Sequence, residues 1–148
     1  MKTMNFQGPG FKMQVPTNWF INSSPQVQAM FVAPPHGNLR ANLMVTMRLL
    51  EKGISLADVI KSSLETQKKE YPEFKLLEEA EYKQNEWVGF SRVYQWYSSE
   101  HKTRLLQRQV LFVINQMLTT ITTTRTDADK AEEFDQVFEQ MLQSFHFE

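Results

Sequence analysis

Residue types that could support catalysis are few and scattered in this sequence of 148 residues. Its three histidines are His36, His101 and His146, and none has a second ligand at the spacing that a metal site requires. The sequence contains no nucleophile-elbow motif, no zinc-protease motif and no phosphate-binding loop. We therefore expect a protein that is not an enzyme, with no metal or other cofactor.

Acidic and threonine-rich runs are the other candidates for chemistry. Glu78, Glu79 and Glu81 form a cluster of carboxylates, a pattern that is typical of a solvated surface. The threonines between residues 119 and 124 could line a binding site with hydroxyl groups. Threonine is also a common strand residue, and we favour that explanation.

Composition excludes several classes of function. Sixteen basic and 17 acidic residues give a net charge of −1, so no overall field attracts nucleic acid or an anionic membrane. Cysteine is absent, which excludes disulfides and thiolate chemistry. The first residues do not resemble a signal peptide, and no segment approaches the ~20 apolar residues of a membrane span. We expect one cytoplasmic domain over residues 1–148, with no insertion into the membrane.

The elements that would position a site are mainly strands. Alternating apolar and polar side chains predict strands in seven segments. These are residues 11–15, 27–33, 40–49, 74–82, 87–97, 104–114 and 117–125. The last three are separated by short polar turns, which predicts an antiparallel meander with residues 104–114 in its middle. The prolines and glycine within residues 34–38 predict a loop.

Two segments have helical periodicity. Ser55 followed by Asp58 resembles a capping box, and the helical pattern runs to Tyr71, before Pro72. A second amphipathic stripe covers residues 131–145, and Thr126-Asp127 looks like its N-terminal cap. The order of elements predicts an α+β fold, in which a curved, mostly antiparallel sheet packs with two principal helices.

Three of the predicted strands share an unusual second face. One face is nearly all apolar, whereas the other mixes amides and hydroxyls with apolar groups and carries few charges. Its candidate residues are Gln28, Met30, Val32, Met44, Thr46, Leu105, Gln107, Gln109 and Leu111. Ser63, Gln67 and Tyr71, spaced four apart on the first helix, would border them. We predict a concave, mostly uncharged groove on the sheet, or alternatively a face that packs against a second copy of the chain.

Several motifs, in order along the chain, resemble the Eag family of type VI secretion effector chaperones. They are Pro16-x-x-Trp19, residues 70–76, Tyr94-Gln95-Trp96, Arg108-Gln109-Val110 and the threonine-rich strand. The resemblance implies a fold related to the DcrB and PsbP-like α/β group. It also implies a homodimer whose concave faces hold the N-terminal transmembrane helices of a secreted effector and help to load it onto the spike protein.

The resemblance assigns roles to individual residues. Gln109 matches a glutamine that hydrogen-bonds to the bound helix, Leu105 matches a groove leucine, and Met30 and Met44 match apolar groove positions. Ser63 occupies a place where relatives carry glutamine, so the polar contact from the helix would come from Ser63 or from Gln67 one turn further on.

Two other functions stay open on the sequence. The first is an accessory protein of the PsbP-like group, which would bind a small apolar ligand or stabilise a protein complex. The second is an uncharacterised hydrolase.

Overall fold

The computed structural model describes residues 1–37, 39–127 and 130–148. In these residues, five strands precede the first helix, four strands lie between the two helices, and one short strand follows the second helix. The elements are β1 (Thr3–Gly8), β2 (Phe11–Pro16), β3 (Phe20–Ser24), β4 (Val27–Val32), β5 (Asn42–Leu49), α1 (Leu56–Glu70), β6 (Lys75–Gln84), β7 (Trp87–Ser98), β8 (Thr103–Ile114), β9 (Met117–Thr126), α2 (Ala131–Ser144) and β10 (His146–Phe147).

Two antiparallel sheets contain these strands. The larger has seven strands in the order β3-β4-β5-β9-β8-β7-β6, and the smaller has the order β1-β2-β10. The predicted meander is confirmed, since β8 pairs with β7 on one side and with β9 on the other. The predicted α+β fold class is confirmed as well. The strands β1, β3 and β10 were not predicted.

The main core lies between the large sheet, the small sheet and α2. Strand residues such as Phe31, Val45 and Phe112 are buried there against Phe138 and Leu142 of α2. These side chains belong to the predicted apolar faces of their segments, so the alternation in the sequence correctly indicated which face is dry.

The first helix packs on the opposite face of the large sheet. Ser55 and Asp58 form the predicted capping box, and the helix ends at Glu70 with Tyr71 as its C-cap. A smaller cluster forms under this helix, in which Val59 is buried with Leu111 of β8 and Leu118 of β9. The large sheet is therefore covered by helices on both faces.

The prediction for the start of the second helix was wrong. Thr126 belongs to β9, and the N-cap of α2 is Lys130, which has a φ of 72° and makes no capping hydrogen bond through its side chain. Of the predicted loop, residues 34–37 carry no strand, and Asn38 lies outside the described residues. No helix in the described part of the chain is both long and apolar enough to cross a membrane.

Candidate functional site

A line of side chains runs across six strands on the face that α1 covers. Each residue pairs with the next in the order Met30, Met44, Thr122, Gln109, Arg92 and Glu79. The line changes from thioethers through a hydroxyl and an amide to an ion pair. One end of this face is therefore apolar, and the other end carries charge.

Arg92 is fully buried beneath α1 at the charged end. Its Nε donates to Oε2 of Glu79 at 3.0 Å, and Nη2 donates to the backbone oxygen of Ile60 at 2.8 Å. Its Nη1 donates to the hydroxyl oxygen of Ser63 at 2.9 Å. A buried charge is tolerated only when it is paired and hydrogen-bonded. These contacts meet that requirement and fasten α1 to the edge of the sheet.

Two glutamines continue this network from the helix towards the middle of the sheet. Nη1 of Arg92 also donates to Oε1 of Gln67 at 3.4 Å, and Nε2 of Gln67 donates to Oε1 of Gln109 at 2.7 Å. Gln67 is buried, with 5% of its surface exposed. The polar contact between helix and sheet thus joins Gln67 to Gln109.

Aromatic rings at the C-terminal end of α1 lie beside a second set of hydrogen bonds. The ring of Tyr71 stacks on Trp96 with centroids 4.5 Å apart. Nε1 of Trp96 donates to Oε1 of Gln107 at 2.8 Å, and Nε2 of Gln107 donates to the hydroxyl of Thr124 at 2.9 Å. Burial raises the pKa of Tyr71 above its ordinary value, so the phenol is uncharged near neutral pH.

An open groove of about 590 Å³ lies between α1 and the uncovered part of the sheet. Its lining is uncharged except for Arg48. On the strands the lining residues are Met44, Thr46, Met47, Arg48, Gln109, Leu111, Leu118, Thr120 and Thr122; Gln26 contributes from the turn before β4, and α1 with its C-cap contributes Val59, Ser62, Ser63, Thr66, Gln67 and Tyr71. Methionine adapts its shape to apolar partners, whereas hydroxyls and amides can satisfy isolated polar groups.

The structure brings together six of the predicted site residues. Met44, Thr46, Ser63, Gln67, Gln109 and Leu111 all line the groove. Met30 is the cross-strand partner of Met44 and so lies beside the lining. The groove is therefore largely the one that the alternation of the strands indicated.

The other four predicted residues lie outside the groove lining. Oε1 of Gln28 accepts a hydrogen bond from the backbone N–H of Met47 at 2.6 Å, where the pairing of β4 with β5 ends. Val32 and Leu105 are buried, and both ends of the Gln107 amide are already hydrogen-bonded. Leu105 is buried and does not border the groove, so it contributes to packing in this structure.

The face that α1 covers also carries charge outside the groove lining, because Arg92 and Glu79 occupy it. The acidic run is correspondingly not entirely solvated, since Glu79 is the ion-pair partner of Arg92. The signal was present in the sequence. Arg92 alternates with Phe90 and Tyr94 along one strand, and an arginine in an apolar row requires an acidic partner on a neighbouring strand.

The threonine run divides between the two faces of the sheet. Thr120 and Thr122 line the groove, whereas Thr119 pairs with Phe112 and Thr123 pairs with Arg108 on the other face. The favoured explanation, strand propensity, therefore missed two groove residues. Their alternation within β9 was the signal that could have identified them.

Comparison with known proteins gives a family and a fold. The model of the DcrB family matches residues 12–144. PA94, a protein of unknown function from Pseudomonas aeruginosa, is 21% identical and has a TM-score of 0.68, with 95% of this chain and 94% of that chain covered. No curated protein matches the chain.

Two further solved structures have the same fold at lower identity. LpqN, involved in cell envelope biogenesis of Mycobacterium tuberculosis, has a TM-score of 0.74 at 13% identity, with 97% and 89% of the two chains covered. The cyanobacterial PsbP of Synechocystis sp. PCC 6803 has a TM-score of 0.64 at 15% identity, with 94% and 87% covered. These similarities establish the DcrB/PsbP-like fold.

Proposed function

The chain belongs to the DcrB family, and we propose that it is a cytoplasmic chaperone that shields the N-terminal transmembrane helices of a type VI secretion effector. The single observation that carries the proposal is the groove beside α1, in which methionines lie next to a hydrogen-bonded pair of amides, the buried Gln67 and the partly exposed Gln109. The resemblance of its motifs to the Eag chaperones supplies the identity of the partner.

The open part of the groove suits an apolar helix. Met44 and Met47 are partly exposed and offer apolar surface, and Thr120 adds a methyl group beside its hydroxyl, whereas Leu111 and Leu118 line the groove with only 3% and 6% of their surface exposed. Covering apolar surface stabilises a complex by about 25 cal/mol per Å². A hydrophobic helix that is exposed to water before secretion would therefore gain binding free energy by covering this surface.

The distribution of charge favours the same partner. The charge of Arg92 is compensated by Glu79 beneath α1, so it need not be stripped of water when a partner enters the groove. Apart from the exposed Arg48, the polar groups of the lining are amides and hydroxyls, which can contact a helix at a smaller desolvation cost than charged groups. This is helix-in-groove recognition.

The hydrogen bonds on the α1 side of the groove indicate that Gln109 is the polar group available to a bound helix. The hydroxyl of Ser63 accepts a hydrogen bond from Arg92 and donates one to the backbone oxygen of Ile60 at 3.2 Å. Gln67 is hydrogen-bonded to both Arg92 and Gln109. We propose that Ser63 and Gln67 act by holding Gln109, which contacts the bound helix directly.

Co-expression tests this function. The partner fragment is the N-terminal hydrophobic segment of the type VI effector that we expect to be encoded beside this gene. We expect a soluble complex with the wild type, and at least a tenfold loss of complex with Thr120→Asp, which places a charge in the groove. The matched control is Gln140→Asp, at an exposed position on α2 that is remote from the groove. An insoluble fragment and no complex with the wild type would refute the proposal.

A small apolar ligand is the second candidate occupant, in line with the accessory-protein alternative. The groove volume of about 590 Å³ falls within the range of roughly 300–1,000 Å³ that is common for small-molecule sites. Native mass spectrometry of the purified chain separates the two functions. A bound small molecule that is lost in Thr120→Asp favours the accessory protein, whereas an empty chain that captures the fragment favours the chaperone.

Three further features belong to the same proposal. We propose that the chain forms a homodimer, that it helps to load the effector onto the spike protein, and that it catalyses no reaction. Light scattering of the purified chain and of its complex measures the first, and pull-down of the spike protein with and without the effector measures the second.

A further inference from the structure

The direction of the hydrogen bonds between Arg92, Gln67 and Gln109 has a chemical consequence. A guanidinium group carries N–H donors and no acceptor, and it stays charged in proteins. A glutamine amide has an acceptor oxygen at one end and a donor nitrogen at the other. The cation at one end of this chain of groups therefore decides which end of each amide faces its neighbour.

The order of the groups follows from this chemistry. If the amide nitrogen of Gln67 faced Arg92, donors would meet donors, so its oxygen faces Nη1 at 3.4 Å. The nitrogen of Gln67 then faces Gln109 and donates to its oxygen at 2.7 Å. The nitrogen of Gln109 is left for the groove, which Gln109 lines.

We propose that Arg92 is a positioning residue that makes the groove amide of Gln109 a hydrogen-bond donor, and that the groove thereby selects helices exposing an acceptor oxygen. This inference rests on the proposed function of the groove. The acceptors that fit are a backbone carbonyl laid open by glycine or alanine and the hydroxyl oxygen of serine or threonine.

A hydrogen-bond donor in the groove suits an apolar helix better than a hydrogen-bond acceptor does. The N–H groups inside a helix are all used by the helix itself, whereas each carbonyl oxygen keeps a second lone pair. Small residues allow a neighbouring group to approach that oxygen closely. An amide oxygen in the place of the Gln109 nitrogen would find no partner on such a surface and would be buried unsatisfied.

The first arm of the test measures the direction of the hydrogen bonds without any partner. In the ¹⁵N-labelled wild type, we expect the side-chain amide protons of Gln67 to exchange slowly with water and those of Gln109 to exchange quickly. Arg92→Lys keeps a donor-only cation and should preserve this order. Arg92→Met removes the cation and should abolish the difference. Fast exchange at Gln67 and slow exchange at Gln109 in the wild type would overturn the proposal.

The second arm measures selection with two synthetic helices of ~20 leucine residues, one of which contains a central Gly-x-x-x-Gly. A net hydrogen bond of about 1 kcal/mol corresponds to a five- to tenfold preference of the wild type for the glycine helix. We expect this preference to fall to about one in Arg92→Met. This variant should still bind both helices, but it should no longer favour the glycine helix. Arg92→Lys should retain a preference.

Gln67→Glu keeps the test decisive if Arg92→Met does not fold. A carboxylate at position 67 accepts from Arg92 but cannot donate to Gln109, so Gln109 turns its nitrogen inward and presents its oxygen to the groove. We expect this variant to fold and to lose the preference for the glycine helix, while Gln140→Glu, the control for added charge, keeps it. An unchanged preference in Gln67→Glu would overturn the proposal.

The proposed function of the groove and the proposed role of Arg92 fail in different ways. If the wild type binds neither helix, the proposed function is wrong and the selection of acceptors is wrong with it. In that case the exchange arm still decides whether Arg92 sets the direction of the amides. If both helices bind equally well to the wild type, the chaperone function stands and the role of Arg92 in selection is refuted.

Discussion

The two faces of the seven-stranded sheet are covered in different ways. On the α2 face, Val110 and Phe112 of β8 join a closed core with side chains of α2 and the small sheet. On the α1 face, Gln109 and Leu111 of the same strand meet a helix that is fastened by Arg92 and leaves a groove beside it. Alternate residues of one strand thus line a dry core and an open groove.

The two faces of the sheet therefore contribute differently to the stability of the fold. The α2 face supplies most of the buried apolar surface, so the α1 face can retain hydroxyls, amides and an open groove without loss of the fold. Arg92 adds directional contacts to the small apolar cluster beneath α1, whereas α2 combines a much larger packed core with ion pairs from Arg108 to Glu139 and from Arg125 to Asp135. We expect substitutions on the two faces to separate stability from binding.

Adjacent threonines of β9 give the largest expected contrast. Thr119 is 2% exposed on the α2 face, whereas Thr120 is partly exposed in the groove. Thr119→Asp buries an unpaired carboxylate and should cost more than about 4 kcal/mol of unfolding free energy, enough to prevent folding. Thr120→Asp should cost less than about 1 kcal/mol, since water reaches the site. Urea unfolding measures both, and equal losses would remove the distinction between the faces.

Adjacent residues of β8 give the next contrast. Phe112 and Leu111 are both buried, but only Leu111 lines the groove. Phe112→Ala should lower the unfolding free energy by about 3–5 kcal/mol, and Leu111→Ala should lower it by about 2 kcal/mol, because the space can open to the groove. A larger loss for Leu111→Ala than for Phe112→Ala in urea unfolding would show that the α1 face is the main core.

Two glutamates of β6 test how α1 is fastened. Glu79 pairs with the buried Arg92, whereas Glu81 pairs with Lys83 at 3.6 Å in a pair whose side chains are 62% and 71% exposed. Glu79→Gln should cost about 1–3 kcal/mol, because it leaves a buried cation under-compensated. Glu81→Gln should change the unfolding free energy by less than about 0.5 kcal/mol. Similar small effects from both would mean that Arg92 does not need its carboxylate.

The capping box of α1 gives the smallest effect and a pH signature. The backbone N–H of Ser55, followed by its hydroxyl, holds the pKa of Asp58 below its ordinary value of 3.8. A depressed pKa contributes stability above the unfolded value, and this contribution is lost as the pH falls through the folded value. Asp58→Asn should therefore lower the Tm slightly at neutral pH and match the wild type in acid. A difference that grows towards low pH would contradict the assignment.

Alternation along strands was the part of the structure that the sequence predicted well. It assigned Leu43, Val45, Val110 and Phe112 to the core, and it correctly paired the three strands of the meander. Each of these depends on local periodicity, which a sequence displays directly. The capping box and the stop before Pro72 are local signals of the same kind.

The elements that were missed depend on pairing between distant segments. The strands β1 and β10 are held by β2, and the short β10 could not be recognised before that pairing was known. The ion pair of Arg92 with Glu79 joins two strands, and its contacts with α1 require the helix to be placed first. Leu105 looked equivalent to Leu111 on its strand and both leucines are buried, but only Leu111 lies beside the groove, which depends on where α1 packs.

The central claim is that the groove beside α1 receives an apolar helix, and site-specific photo-crosslinking tests it most directly. A photo-reactive residue is placed at position 120, in the groove, or at position 140, on the exposed side of α2, and each variant is co-expressed with the hydrophobic effector fragment. We predict a crosslinked product from position 120 and none from position 140. A complex that crosslinks only from position 140 would contradict the claim.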